Sequence, residues 1–442
     1  MRTTTLGYLR RYSGTGWRET PELVDKIDHY AHFPATGVSL RQMVQFGSNP
    51  SDGSLFRASQ FIVEELPIRL AHRVKDLESL PYKLNEMPSI KRVTNWYKQS
   101  FDELTSIKLP ALSPSIKERL FKPTQKPKFK IAVPAKADLG ISAEQSHYPE
   151  KQVTNVASRQ YYSAVEPGVQ WPSEVQNYNT HITQALQRIK ARHDGVVSTV
   201  ALGVLEWKAS PHFAPKCPDI QPFLDRFYMS RIGIRMLIGQ HIALNMDRGI
   251  RDDYVGIICT NTNVKEIAQA AIDNARFICE DWYGLFEAPK VELHSNADNI
   301  NFLYVPGHLS HMIFEVVKNS LRAVVESYGV ESDDFPPVKV IVAQGDEDIT
   351  IKISDEGGGI PRRAVDKVWT YMYTTAKEKP QLDDTLRSDF KAPLAGFGYG
   401  LPVSRLYSRY FGGDLKLISM EGYGTDVYLH LNRLSTASEP LS

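Results

Sequence analysis

Three short segments hold side chains whose types and spacing could do chemistry. In His311-Met-Ile-Phe-Glu315-Val-Val-Lys318-Asn319-Ser-Leu-Arg322-Ala-Val-Val-Glu326, helical spacing puts His311, Glu315, Lys318, Arg322 and Glu326 on one face, while Ile313, Val317, Leu321 and Val324 line another. A charge run alone reads as a solvated face laced with i, i+4 pairs. Asn319 argues for more, because asparagine is a poor mid-helix residue and its side-chain oxygen is a good hard ligand for Mg²⁺. In Ser354-Asp355-Glu356-Gly357-Gly358-Gly359-Ile360-Pro361, three successive glycines let the backbone turn sharply and approach a ligand. Asp355 at the strand end could accept a hydrogen bond from an exocyclic amine such as that of adenine; a tight turn explains the same residues equally well. Ala395-Gly396-Phe397-Gly398-Tyr399-Gly400-Leu401-Pro402 precedes a helical run, which suits a phosphate cradle of backbone N–H groups and a helix N-terminus. Each pattern alone is weak evidence. The Walker, Rossmann and H-R-D/D-F-G signatures are absent.

The elements that must position these segments follow from periodicity. Residues 20–108 read as helical, with Phe61 to Val74 apolar near period 3.6 and a kink or break expected at Pro67. Between 109 and 176 prolines cluster, six lysines fall between Lys117 and Lys136, and no period persists, so a long mobile insertion between two helices is expected, with a lysine-rich docking segment as the alternative. Helical texture returns at 177–250. From 255 it is mixed: Val338 to Ala343 and Asp348 to Ser354 alternate as one hairpin, Leu415 to Ser419 and Thr425 to Leu431 as another, with helices at 308–327 and 401–410. The expected fold class is α + α/β: a helical bundle domain over 19–254, then an α/β sandwich domain with a mixed sheet over 255–435, and a short tail over 436–442.

A length of 442 residues suits two or three domains, and 42% hydrophobic with 23% charged residues is an ordinary globular composition. No apolar run approaches the roughly 18 residues that span a bilayer. With 52 basic and 51 acidic side chains the net charge is +1, which argues against bulk nucleic acid as a partner. The charge is uneven, because the first 18 residues carry Arg2, Arg10, Arg11 and Arg18 and no acid. That is the composition of a mitochondrial transit segment, and Arg10-Arg11-Tyr12-Ser13 looks like a processing site with cleavage after Tyr12; a frayed basic terminus is the alternative. Cys217, Cys259 and Cys279 form no C-x-x-C pair, so a reducing compartment without disulfides is expected, with Cys259 and Cys279 as small core residues.

In order and spacing, the Glu-x-x-Lys-Asn helix, the Asp-x-Gly-Gly-Gly turn and the Gly-Phe-Gly-Tyr-Gly-Leu-Pro loop together resemble the N, G1 and G2 boxes of the ATPase/kinase superfamily of gyrase, Hsp90, histidine kinases and MutL. Phe223 to Ile238, Arg192-His193-Asp194-Gly-Val-Val, Ser419 to Asp426, Glu64-Glu-Leu-Pro-Ile-Arg-Leu-Ala and Trp96-Tyr97 look more narrowly like the mitochondrial pyruvate dehydrogenase kinases. The likeness spans nearly the whole chain apart from its start, the 109–176 insertion and the last dozen residues.

The resemblance implies an ATP- and Mg²⁺-dependent serine kinase that inactivates the E1 component of the pyruvate dehydrogenase complex in the mitochondrial matrix. It implies that Glu315 is the general base, tuned by His311, and that Asn319 binds Mg²⁺. Asp355 would hold adenine with Gly357, Gly359 and Thr425. Gly396, Phe397, Gly398, Tyr399, Gly400 and Leu401 would wrap the triphosphate, Thr374 and Thr375 would belong to the nucleotide lid, and Lys318 and Arg322 would add positive charge. A K⁺ ion near the nucleotide, a homodimer, and docking to the lipoyl domain of the E2 core through Leu40, Phe46 and Phe61 are further implications, core packing being the alternative for those three. His193 sits where histidine kinases carry a phosphoacceptor, but in this branch it resembles a structural or regulatory histidine. The Asp-Trp pair of the family's exchanged tail is missing from the last residues, which puts tail exchange in doubt. Three other readings stay open: a branched-chain 2-oxoacid dehydrogenase kinase, against which Arg226-Phe-Tyr-Met-Ser-Arg leans, a nucleotide-binding scaffold on the dehydrogenase core without transfer activity, and a bacterial-type histidine kinase that would carry phosphate on His193.

Overall fold

A computed structural model describes residues 17–47, 50–121, 169–211, 213, 219–246, 251–297, 299–332, 334–374, 398–434, 437 and 439–440. The N-terminal part is helical: α1 (Pro21–Tyr30), α2 (Leu40–Gly47), α3 (Asp52–Glu78), α4 (Pro88–Thr105), α5 (Pro114–Phe121), α6 (Ser173–His193), α7 (Val196–Ala209) and α8 (Gln221–Met246). Local signals start several of them. Thr20 caps α1 by accepting from the Leu23 N–H, and Ser51 with Ser54 forms a capping box at the head of α3. Ahead of α1, the Trp17 indole donates to Asp102 Oδ2 at 2.9 Å. The apolar stripes of α3, α4, α6 and α8 meet in a bundle, with Leu66, Phe101, Ile189 and Phe227 fully buried between them.

Two expectations need correction here. Pro67 does not break its segment: α3 runs unbroken from Asp52 to Glu78. Leu66, Leu70 and Val74 are buried around it, and their packing outweighs one lost backbone hydrogen bond. The insertion is also not featureless from end to end, because α5 begins on Pro114, a residue pre-set for a first helical turn, and α6 begins at Ser173. The mobility expected of the remainder falls on 122–168, outside the described residues, as does the transit expectation for 1–16.

The C-terminal part is built from β1 (Tyr254–Val255), β2 (Ile258–Asn263), α9 (Val264–Tyr283), β3 (Val291–Ser295), β4 (Asn301–Tyr304), α10 (Pro306–Tyr328), β5 (Val338–Gln344), β6 (Asp348–Asp355), α11 (Arg362–Val365), α12 (Gly400–Tyr410), β7 (Asp414–Met420) and β8 (Gly424–Asn432). Five strands form one sheet in the order β3-β5-β6-β8-β7, with β3 and β5 parallel and the other neighbours antiparallel, so the sheet is mixed as expected. The small β1-β2-β4 sheet has no counterpart among the expected elements.

Alternation along β6 buries Ile349, Ile351, Ile353 and finally Asp355 on the face covered by α10. A carboxylate therefore ends a row of isoleucines, against a helix. Cys259 and Cys279 are buried core residues as expected, and burial pushes the Cys279 thiol up to about 12; Cys217 lies outside the described residues. No helix among the described residues is long and apolar enough to cross a membrane.

Candidate active site

The centre of the site lies on α10. Glu315 and Lys318, one turn apart, form an ion pair at 2.8 Å between Oε1 and Nζ, and their exposures are only 6% and 2%. The solvated-face reading therefore fails at its two central charges, because α12 lies across them. Burial pushes the Glu315 carboxyl up, but the charge of Lys318, its hydrogen bond and the nearby His311 outweigh burial and hold it below the usual carboxylate range. Glu315 is thus a buried carboxylate that stays ionised. The His311 ring stands edge-on to Tyr407 at 5.3 Å, one turn before Glu315.

Asp355 closes the opposite side. Its Oδ1 accepts from the Gly357 N–H at 3.0 Å, and the Ser320 hydroxyl and the Thr425 N–H also serve it. Burial raises its proton affinity and these three bonds only partly offset that. Thr425 faces Asp355 across the β6–β8 ladder, and its hydroxyl lies 2.9 Å from the Ser419 hydroxyl.

The glycine loop supplies the third side. Gly398 has φ +77°, and a Cβ there would strike the Tyr373 backbone. A Cβ on Gly400, the first residue of α12, would strike Glu315 Oε2. The helix N-terminus is therefore set directly against the carboxylate, and any larger residue at 400 would require that carboxylate to shift.

These three sides enclose a cavity of about 730 Å³. Its walls include Glu315, Lys318, Asn319 and Arg322 from α10, Asp355, Gly357, Gly359 and Thr425 from the sheet edge, Thr374 and Gly398 from the loops, and Gly400 and Leu401 from the head of α12. That volume is in the range of small-molecule sites, roughly 300–1,000 Å³. Sequence reasoning passed over Ser320, Arg363 and Lys367, which also line it. Ser320 follows Asn319 directly, and Arg363 and Lys367 stand four apart after Pro361, spacings that could have flagged all three.

Other expected residues lie elsewhere. The Tyr399 ring turns away from the cavity and packs edge-on against Tyr228, with ring centroids 5.7 Å apart. Thr375, Gly396 and Phe397 lie outside the described residues, and so does the side chain of Phe46. Leu40 and Phe61 belong to the core of the helical part, at 1% and 7% exposure. His193 is buried, stacked on Tyr97 at 4.6 Å and 3.0 Å from the Ser100 hydroxyl; burial, then Arg192 and Arg231, push it down to about 3. The imidazole is thus enclosed and held neutral, away from the cavity.

Among the described residues no cluster of three or more His, Cys, Asp or Glu side chains could hold a metal alone. Asn319 on the cavity wall suits a cation that takes most of its oxygens from phosphates and water, which is the habit of Mg²⁺.

Comparison with known proteins gives the family. Residues 37–259 match the family model described as mitochondrial branched-chain alpha-ketoacid dehydrogenase kinase, and residues 304–435 match the histidine kinase-, DNA gyrase B- and HSP90-like ATPase model. The chain is 46% identical over 429 residues to the mitochondrial [pyruvate dehydrogenase (acetyl-transferring)] kinase of Schizosaccharomyces pombe, covering 95% of this chain and 98% of that one. It is 40% identical to the Arabidopsis thaliana kinase, over 95% and 96% of the two chains, and 37% identical to human isozyme 1, over 93% and 81%. A helical part followed by this ATPase-type site, shared along nearly the whole length with such relatives, means that the chain belongs to the family of mitochondrial pyruvate dehydrogenase kinases.

Proposed function

We propose that this protein is an ATP- and Mg²⁺-dependent serine kinase that phosphorylates and so inactivates the E1 component of the pyruvate dehydrogenase complex. The observation that carries the reading is the junction of Glu315, Lys318 and Gly400: an ionised carboxylate pressed against a helix N-terminus in the wall of a nucleotide-sized cavity. Glu315 accepts the proton of the substrate serine hydroxyl as the serine oxygen bonds to the γ-phosphoryl group, whose bond to the bridging oxygen breaks to release ADP. Lys318 keeps that carboxylate ionised. The N–H groups at the head of α12 face the phosphates, with Arg322 adding positive charge at the cavity wall. Mg²⁺, when bound, neutralises phosphate charge, and Asn319 is the side chain that would hold it. Asp355 accepts from the adenine amine, its ionised form supported by Gly357, Ser320 and Thr425.

The remaining assignments belong to the same proposal. The chain divides into a helical domain over 19–254 and a nucleotide domain over 255–435, and works in the mitochondrial matrix. It acts as a homodimer, a reading supported by the open sheet face, where Ile341, Ile418 and Met420 are exposed. Docking to the lipoyl domain of E2 draws support from the family alone, because Leu40 and Phe61 are core residues here. A K⁺ site draws no support from the described side chains.

The branched-chain reading is favoured by one observation, the description of the model matching 37–259. The names of the S. pombe, A. thaliana and human relatives favour pyruvate dehydrogenase. Phosphate transfer from ATP to the two purified E1 proteins decides: incorporation into pyruvate dehydrogenase E1 is expected, and incorporation into branched-chain E1 alone would overturn the assignment.

A further inference from the structure

Glu439 lies beyond the last strand of the sheet, yet its side chain is only 1% exposed and sits inside the helical part of the molecule. Its Oε1 accepts from the Val38 N–H at 3.1 Å, and its Oε2 accepts from Arg69 Nη1 at 3.0 Å. Arg69 Nη2 and the Tyr410 hydroxyl donate to the same carboxylate. Arg69 is itself fixed by Glu65 at 2.7 Å and by the Thr36 carbonyl at 2.7 Å. Gly233 on α8 makes room for the cluster, since a Cβ there would come within 2.9–3.1 Å of Arg69, Glu439 and Tyr410. One carboxylate thus gathers donors from α3, from the segment before α2 and from α12. Burying a charge at such a junction is costly unless every lone pair is served, and here each oxygen is.

Tyr410 is the last residue of α12, and Gly400, which abuts Glu315, is its first. An 11-residue helix moves as one rod, so whatever holds Tyr410 also orients the N–H groups that face the phosphates. We infer that Glu439 is a positioning residue, which ties the nucleotide-facing helix α12 to Arg69 and Val38 of the helical part, so that nucleotide binding at one end of α12 tightens the Val38–Val44 region at the other. This rests on the proposed nucleotide site.

The test uses the full chain, with Mg²⁺-ADP binding measured by titration and backbone hydrogen exchange followed over residues 38–44. In the unchanged protein, ADP is expected to slow exchange there. Glu439→Gln keeps shape and removes charge, and leaves Arg69 its Glu65 partner. It should still bind ADP but lose that slowing, and its KM for ATP should rise by roughly fivefold, the low end of ordinary coupling, with kcat little changed. Tyr410→Phe, which removes one hydroxyl and carries the test if Glu439→Gln does not fold, should do the same, and the double variant should be no worse than either single one. Glu439→Asp should restore part of the slowing. ADP-dependent slowing that survives in Glu439→Gln, or is missing from the unchanged protein while ADP binds, would overturn the inference. Failure of the unchanged protein to bind ADP would instead overturn the nucleotide site, and the inference with it.

Discussion

Gly400 stands so close to Glu315 that a Cβ there would meet the carboxylate's Oε2, and one of the two would have to shift. That contact fixes the distance between the group that would take the proton and the amides that would hold the phosphates. Gly400→Ala forces one of them to move. Misplacement of about 1 Å at a reacting centre commonly costs about 100-fold, so kcat/KM for E1 phosphorylation should fall by at least that much, with a melting point within a few degrees of the parent. A steady-state assay beside a thermal melt reads both, and a parental rate would show that the contact has no part in transfer.

Glu315→Gln separates a kinase from a nucleotide-binding scaffold. The amide keeps the shape and can still accept from Lys318, but it cannot take a proton. Phosphoryl transfer should fall by about 10²–10⁴, the usual share of general-base catalysis, while ADP affinity stays within a few-fold. Single-turnover transfer and ADP titration check the two halves. Unchanged transfer would remove Glu315 from the base role; a parent that binds ADP but transfers nothing would favour the scaffold.

The ion pair also predicts a pH profile. Because Glu315 is held below its ordinary 4.5, the stability contributed by its pairing with Lys318 is fully present above that value and is lost only as pH falls through the lower, folded one. The kcat/KM profile should therefore show no acid limb from Glu315 above about pH 5. Lys318→Met removes the main group opposing burial, so the carboxyl should rise and an acid limb should appear at higher pH than in the parent. An acid limb at the same pH in parent and variant would mean that another group is titrating.

Much of this was readable from short-range pattern. The α10 helix expected over 308–327 is observed as Pro306–Tyr328, because an apolar period near 3.6 and a proline at the helix start are both local signals. Both hairpins of the sheet follow from alternation. What local pattern could not supply is burial imposed from far away. Glu315 and Lys318 share the spacing of a surface ion pair, and only the arrival of Gly400, 85 positions later, makes them interior. Tyr399 sits inside the glycine motif yet belongs to an aromatic contact with α8, and Glu439 reads as an ordinary acid near the chain end until Arg69 is brought beside it.

The same long-range logic gives a prediction at the rim of the cavity. The Tyr371 hydroxyl donates to Asp225 Oδ1 at 2.7 Å and its N–H donates to Gln221 Oε1 at 2.7 Å, so α8 holds the chain just before Tyr373 and Thr374 reach the cavity. Between them Met372 sits at φ 67°, a left-handed conformation that costs roughly 1–2 kcal/mol and persists only where its neighbours are fixed. Tyr371→Phe removes a hydrogen bond to a carboxylate, worth about 1.5 kcal/mol or more, so the KM for ATP should rise by about tenfold with kcat nearly kept. Asp225→Asn should act through the same contact, and the double variant should cost less than the sum of the two singles. Steady-state kinetics across that cycle check it: strict additivity would mean that the two side chains act independently, and unaltered KM values would mean that α8 does not hold the rim.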